Sequence, residues 1–151
     1  MLLKDIYDKK HIHFSAGKMT WQNSLRECCK PLVETGVVDS GYAEELIACV
    51  EKHGPYIVIL PGVCLPHSTE NAKGCHGTAI AFMKSDTPIS FEDGNPDKDA
   101  VIFFTLASTN PDEHMLNMQQ LYSVLTNEEA LEALKRVEKA EDLLEIDKML
   151  G

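Results

Sequence analysis

The stretch Leu60-Pro61-Gly62-Val63-Cys64-Leu65-Pro66-His67-Ser68-Thr69 holds the side chains best suited to chemistry. Two prolines and a glycine restrict the backbone there, and Pro66 presents His67 rigidly. A histidine held this way is a nucleophile whose ring nitrogen can accept a phosphoryl group. The hydroxyls of Ser68 and Thr69 follow it as donors. Phosphoryl transfer asks mainly for positioning and for donors aimed at three equatorial oxygens, which a stiff loop supplies. His114 is the second candidate. It lies one turn into a helix opened by Asn110-Pro111-Asp112-Glu113, on the apolar stripe His114, Met118, Leu121, Leu125. If it faces His67, it can hydrogen-bond a phosphoryl oxygen in flight. The helix start, with its free N–H groups and dipole, favours an anion there.

Other constellations compete. Cys64-x-x-His67 has acceptable spacing for a metal, with Cys75 and His76 as partners. Neighbours in an extended segment point opposite ways, however, which weakens the second pair. A Cys64–histidine nucleophile has no identifiable third residue to orient it. His11, His13 and His53 read as surface or helix-end residues. Cys28, Cys29 and Cys49 fall on apolar helix stripes, where a thiol acts as a small hydrophobe.

The elements that must position these residues follow from periodicity. Ile12 and Phe14 alternate with His11 and His13, a short strand. Leu25, Cys28, Cys29, Leu32 and Val33 form one helical stripe ending at Gly36, with Pro31 expected to kink it. Asp39 or Ser40 caps a second helix carrying Tyr42, Leu46, Cys49, Val50 and His53, which Gly54 ends. Tyr56–Leu60 reads as a continuous strand buried on both faces, with the His67 loop leaving its carboxyl end. Gly77–Met83, Ile89–Phe91 and Ala100–Ala107 read as further strands. Turn chemistry over Glu92–Lys98 separates the last two. Thr126-Asn127-Glu128-Glu129 reads as a second capping box, opening a helix with Leu131, Leu134 and Val137. Ala140, Leu143, Leu144 and Leu150 mark the last one. If the strands ending at Leu60 and Ala107 are parallel neighbours, His67 and His114 come to the same sheet edge.

Helices first, buried strands in the middle and helices last predict a three-layer α/β sandwich, a central mixed sheet flanked by helices. Strict βαβ alternation fails, and neither G-x-G-x-x-G nor G-x-x-x-x-G-K-[ST] occurs, so nucleotide binding of those kinds is excluded. At 151 residues the chain reads as one domain spanning 1–151. A net charge of −10 argues against a nucleic-acid or anionic-membrane partner and for one offering a basic face. No apolar run reaches the ~20 residues of a membrane span, and the first residues lack a signal peptide's pattern. Five cysteines, an odd number, read as reduced thiols in a cytosolic protein.

Leu60-Pro61-Gly62-Val63-Cys64-Leu65-Pro66-His67 also resembles the active-site signature of the mannitol/fructose-type enzyme IIA components of the bacterial phosphotransferase system. The P-G-hydrophobic-x-L-P-H form after Tyr56–Leu60 is most similar to the ascorbate-specific branch. The resemblance extends to Met1-Leu2-Leu3, the Ile12 strand, Trp21, Gly36-Val37-Val38, Leu106-Ala107-Ser108 and the His114 helix. It implies that His67 is the phospho-acceptor and His114 the second active-site histidine. It also implies a donor, phospho-HPr; an acceptor, a cognate IIB; and a membrane IIC that admits the sugar. No metal or organic cofactor is expected. Cys64 and Ser68 depart from the small residues more usual in the signature. Glu51 and Lys52 stand where mannitol-type members carry an arginine, which leaves the source of positive charge at the site open. The competing class is a IIA-like regulatory domain whose phosphorylation controls a transcription factor or kinase.

Overall fold

The computed structural model describes residues 2–68 and 72–150. Thr69, one of the expected hydroxyl donors, lies outside them.

The longest apolar runs pair with each other. The strand β5 (Asp99–Ala107) runs antiparallel to β4 (Ala79–Ser90), from Ala79 opposite Ala107 to Ser90 opposite Asp99. Gly77–Met83 and Ile89–Phe91, expected as two strands, are largely one: β4 runs through, with a register shift between Lys84 and Ile89 where two turn-forming residues, Asp86 and Pro88, break the ladder. On one side β4 pairs in parallel with β1 (Ile12–Ser15). On the other, β5 pairs in parallel with β3 (Gly62–Cys64), which pairs antiparallel with β2 (Val58–Leu60). The order β1-β4-β5-β3-β2 is a mixed sheet, as expected.

The run at Tyr56–Leu60 behaves differently from its sequence reading. It is not a doubly buried strand but an outer one, with Ile59 and Leu60 exposed at 44% and 40%. Pro61 cannot continue the ladder and Gly62 adopts φ +89°, so the chain doubles back into β3. The strand that leads to His67 is therefore β3, and it is β3 that runs parallel to β5.

Period-2 alternation sends successive residues of β4 and β5 to opposite faces, and each face meets a helical layer. Ala81, Met83 and Phe103 pack with Leu25, Leu32, Leu46 and Val50, from α2 (Trp21–Glu34) and α3 (Tyr42–His53). Phe82, Ile102 and Phe104 pack with α1 (Leu2–Asp8), α4 (Pro111–Leu125), α5 (Glu128–Leu134) and α6 (Asp142–Leu150). This is the three-layer sandwich.

Local signals explain most helix ends. Thr20 caps α2 through the Asn23 amide, and the helix runs on through buried Pro31 to Glu34, where it loses one ladder bond near its end rather than breaking. Neither Asp39 nor Ser40 caps α3, whose N-cap is Gly41; Asp39 instead accepts from the Gly41 amide at 2.8 Å in the turn before it. The N-cap of α5 is Asn127, one residue later than the capping box predicted, because Thr126 closes α4. The seven-residue α1 carries too little periodicity to be seen in the sequence. Among the described residues no helix is long and apolar enough to cross a membrane.

Candidate functional site

β3 delivers His67 between two fixed neighbours. The Leu65 amide donates to the Ile57 carbonyl and the Leu106 amide to the Pro66 carbonyl, each at 2.8 Å, extending the sheet past Cys64. The chain is thus stitched to β5 up to the residue before His67. The His67 ring then folds back, and its Nδ1 lies 2.5 Å from the Leu65 carbonyl oxygen. A carbonyl only accepts, so Nδ1 carries the proton and Nε2 holds the lone pair. Tyr56 donates its hydroxyl to the His67 carbonyl at 2.6 Å and sets its ring perpendicular to the imidazole. Burial and the neighbouring Cys49 push that phenol up to about 12, so it remains a donor.

From the other side β5 ends at Ala107 and turns into α4. Asn110 caps that helix by accepting from the Asp112 and Glu113 amides at 3.0 and 3.1 Å, while Thr78 accepts from the Thr109 and Asn110 amides at 2.9 Å. The helix start therefore does not offer the free backbone donors expected of it: Asn110 and Thr78 occupy them. What α4 offers is the His114 side chain, half-buried one turn in, above Met118 and Leu121.

His67 and His114 line one pocket, a cavity of about 110 Å³ that Tyr42, Ser68, Cys75 and Ser108 also border. No lysine or arginine stands among its described lining residues. Tyr42 donates to the Leu106 carbonyl at 2.7 Å, and burial pushes its phenol well above the ordinary range. Leu106 is thus tied to the His67 loop through its amide and to α3 through its carbonyl. The Cys75 thiol donates to the Gly77 and Ser108 carbonyls. The sequence reading did not single out Tyr42 or Tyr56. Tyr42 looked like one apolar-stripe member among several, and only the partner at the far end of its ring reveals its second role.

Of the rival ligands only Cys75 borders the pocket with His67, and Cys64 and His76 go elsewhere. Cys64 is wholly buried in the α2–α3 core, and burial raises its thiol well above the usual range. His76 pairs with Asp39 at 3.0 Å. Among the described residues no three His, Cys, Asp or Glu side chains converge as a metal requires. His53 is exposed, as expected, whereas His13 is half-buried, 3.3 Å from Glu27.

His11 departs further from that expectation, being only 3% exposed. Thr35 donates its hydroxyl to the Pro31 carbonyl, so it accepts from His11 Nε2, 2.9 Å away, and Nδ1 is left buried without a partner. Burial lowers the pKa of this imidazole. A wider cleft of about 270 Å³ opens between α1 and α4 beside it, but His11 Nδ1 is sealed from solvent.

Comparison with known proteins meets this geometry. The pattern of the family described as "Phosphoenolpyruvate-dependent sugar phosphotransferase system, EIIA 2" matches residues 5–148. The chain is 28% identical over 149 residues to the "Ascorbate-specific PTS system EIIA component" of Escherichia coli (strain K12), covering 97% of this chain and 95% of that one. A crystal structure of a protein assigned as a PTS IIA domain, from Streptococcus pyogenes M1 GAS, superposes with a TM-score of 0.84 at 28% identity, covering 99% and 96% of the two chains. The fold also matches enzyme IIAMTL in its complex with phosphorylated enzyme IIBMTL from Escherichia coli, with a TM-score of 0.73, 22% identity and 90% and 93% coverage.

Proposed function

Because the chain belongs to the phosphoenolpyruvate-dependent sugar phosphotransferase system EIIA 2 family, we propose that it is an ascorbate-type enzyme IIA that cycles between His67 and phospho-His67. Members of this family are phosphotransferases that carry a phosphohistidine. One observation supports His67 as that residue here: its Nδ1–H is held by the Leu65 carbonyl at the edge of a pocket that His114 also lines.

With Nδ1 protonated, Nε2 is the free nucleophile. It attacks the phosphorus of a phosphohistidine on the donor, phospho-HPr. The new N–P bond forms as the donor's N–P bond breaks, and the electron pair returns to the donor's imidazole. His67 then holds a phosphoryl group on Nε2 and a proton on Nδ1, so its ring is cationic. The Leu65 carbonyl lies in line to stabilise that charge, because a hydrogen bond strengthens when its donor ionises. His114 donates to a phosphoryl oxygen in flight without carrying the group. Transfer to a cognate IIB reverses the same steps, and a membrane IIC then admits the sugar. No metal or organic cofactor takes part.

Protein partners suit the outer surface of α4. The helix that carries His114 leaves Met115, Leu116 and Tyr122 exposed beside Asp112 and Glu113. An apolar strip with an acidic margin fits a partner with a basic rim. The ascorbate assignment rests on the P-G-V-C-L-P-H form and on relatives that carry that name across almost their whole length. A cytoplasmic cycle is supported by the free cysteines and by a phosphoryl donor of the phospho-HPr kind.

The test is labelling of the purified protein by phospho-HPr. Wild type is expected to take up one phosphate, stable to base and labile to acid. His67→Ala is expected to fold normally and take up none. Undiminished labelling of the alanine variant overturns the assignment.

A further inference from the structure

Tyr56 stands just before β2, outside the lining of the pocket, yet touches His67 twice. Its hydroxyl donates to the His67 carbonyl at 2.6 Å. Its ring meets the imidazole at 87°, with centroids 5.2 Å apart. The position of these contacts along the chain gives them weight. Up to Pro66 the backbone is held by the sheet, through Leu65 to Ile57 and Pro66 to Leu106. Beyond Pro66, the described contacts that fix His67 are its own Nδ1 bond and the two from Tyr56. A sheet can place the start of the loop, but it cannot fix a side-chain torsion one residue past its last ladder bond.

The geometry points to Tyr56 as a positioning residue for phosphoryl transfer, an inference that rests on His67 being the acceptor. The hydroxyl pins the His67 carbonyl, and the ring blocks rotation of the imidazole. Nδ1 is thereby kept on the Leu65 carbonyl, and Nε2 is left as the free nitrogen. Without that constraint the Nδ1 bond to Leu65 holds the ring alone, and the nucleophile shifts from the attacking position more often. A hydroxyl suits the task because a carbonyl needs a donor, and burial keeps this phenol protonated up to about pH 12. The perpendicular ring contact adds directionality that an aliphatic side chain lacks.

Two variants separate the two contacts. Tyr56→Phe keeps the ring and removes the donor, whereas Tyr56→Leu removes both. Nitrogen-15 NMR of the imidazoles reads the His67 tautomer without any phosphate, and labelling by phospho-HPr at varied concentration separates the saturated rate from donor docking. In wild type, His67 is expected in the Nδ1–H form. Tyr56→Phe is expected to slow the saturated rate by about two- to tenfold, the effect of one lost hydrogen bond, with the half-saturating donor concentration unchanged. Tyr56→Leu is expected to slow it further and to move His67 toward the mixed tautomers of a free imidazole. Wild-type rates and an unchanged tautomer in both variants overturn the inference. So does a change confined to the half-saturating concentration, which would assign Tyr56 to donor docking. If Tyr56→Leu does not fold, the Tyr56→Phe rate and spectrum decide alone. A His67→Ala protein that is still labelled would overturn the acceptor reading instead, and the tautomer result would stand apart from it.

Discussion

His11 and His67 are two histidines beside strands of one sheet, and the protein treats them in opposite ways. Each has one nitrogen held by a neighbour, Nε2 by Thr35 in His11 and Nδ1 by Leu65 in His67. The second nitrogen makes the difference. In His11 it is buried without a partner, and in His67 it is the free nitrogen of a half-exposed ring at a pocket. An imidazole becomes a phosphoryl acceptor when one nitrogen is fixed and the other is reachable. Fixing one and sealing the other produces a core residue that burial keeps neutral.

The contrast is broken most severely at His67, where alanine should abolish labelling while leaving the melting temperature near that of wild type. Next comes His114→Ala. It should still accept phosphate on His67 but pass it to IIB about 10²–10³-fold more slowly, the usual cost of one lost preorganised donor; an unchanged transfer rate would return His114 to the role of a packing residue. His11→Ala should do the reverse of the His67 variant. Labelling persists, but unfolding in urea should show a loss of about 2–3 kcal/mol as a buried ring is removed. The smallest effect is the pH response. The unfolded chain protonates His11 near its ordinary value of 6.5, whereas the folded chain, with its lowered pKa, resists protonation. The stability tied to His11 is therefore fully present above pH 6.5 and is lost as pH falls below it, until the folded imidazole itself protonates. Thermal melts between pH 8 and 5 should show a drop that His11→Gln reduces; equal drops in both proteins would remove His11 from the account.

The same pair shows what was legible in the sequence. The His67 loop could be found because proline, glycine and histidine carry their meaning locally, and β5 because nine residues of mostly apolar chain leave few alternatives. His11 was misread because β1 is an outer strand. Its apolar residues Ile12 and Phe14 face a groove that α1 and the residues before α6 cover only in part, leaving Phe14 38% exposed. The positions that alternation assigns to solvent are the ones turned toward α2 and the chain leading into it: His13 reaches Glu27 of α2, and Ser15 donates to Met19 Sδ just before that helix. Alternation identifies two faces but cannot say which is better covered. The hairpin of β2 and β3 escaped for a different reason. Three residues on either side of Pro61 are too few for a period, and only pairing with β2 and β5 makes β3 a strand. The meeting of His67 and His114 depends on that pairing, so no reading of either segment alone could supply it. Tyr56 was hidden because its partner is a backbone carbonyl, which has no signature in a sequence.

The sheet order also bears on how the chain reaches its native state. β4 and β5 join across the short Phe91–Lys98 connection, so their pairing costs little loop-closure entropy. β3 docks in parallel on β5 only after a far longer span of chain has closed. The site histidines thus belong to different cooperative units, His114 to the segment that follows the early hairpin and His67 to the late-docking edge. A partial opening that releases β2 and β3 leaves the β4–β5 ladder intact and dismantles the proposed acceptor. The Leu106 amide, bonded to Pro66 rather than within that ladder, is the natural reporter. In native-state hydrogen exchange it should lose protection at lower denaturant than the amides of Thr105 and Ala81, which face each other across β4 and β5.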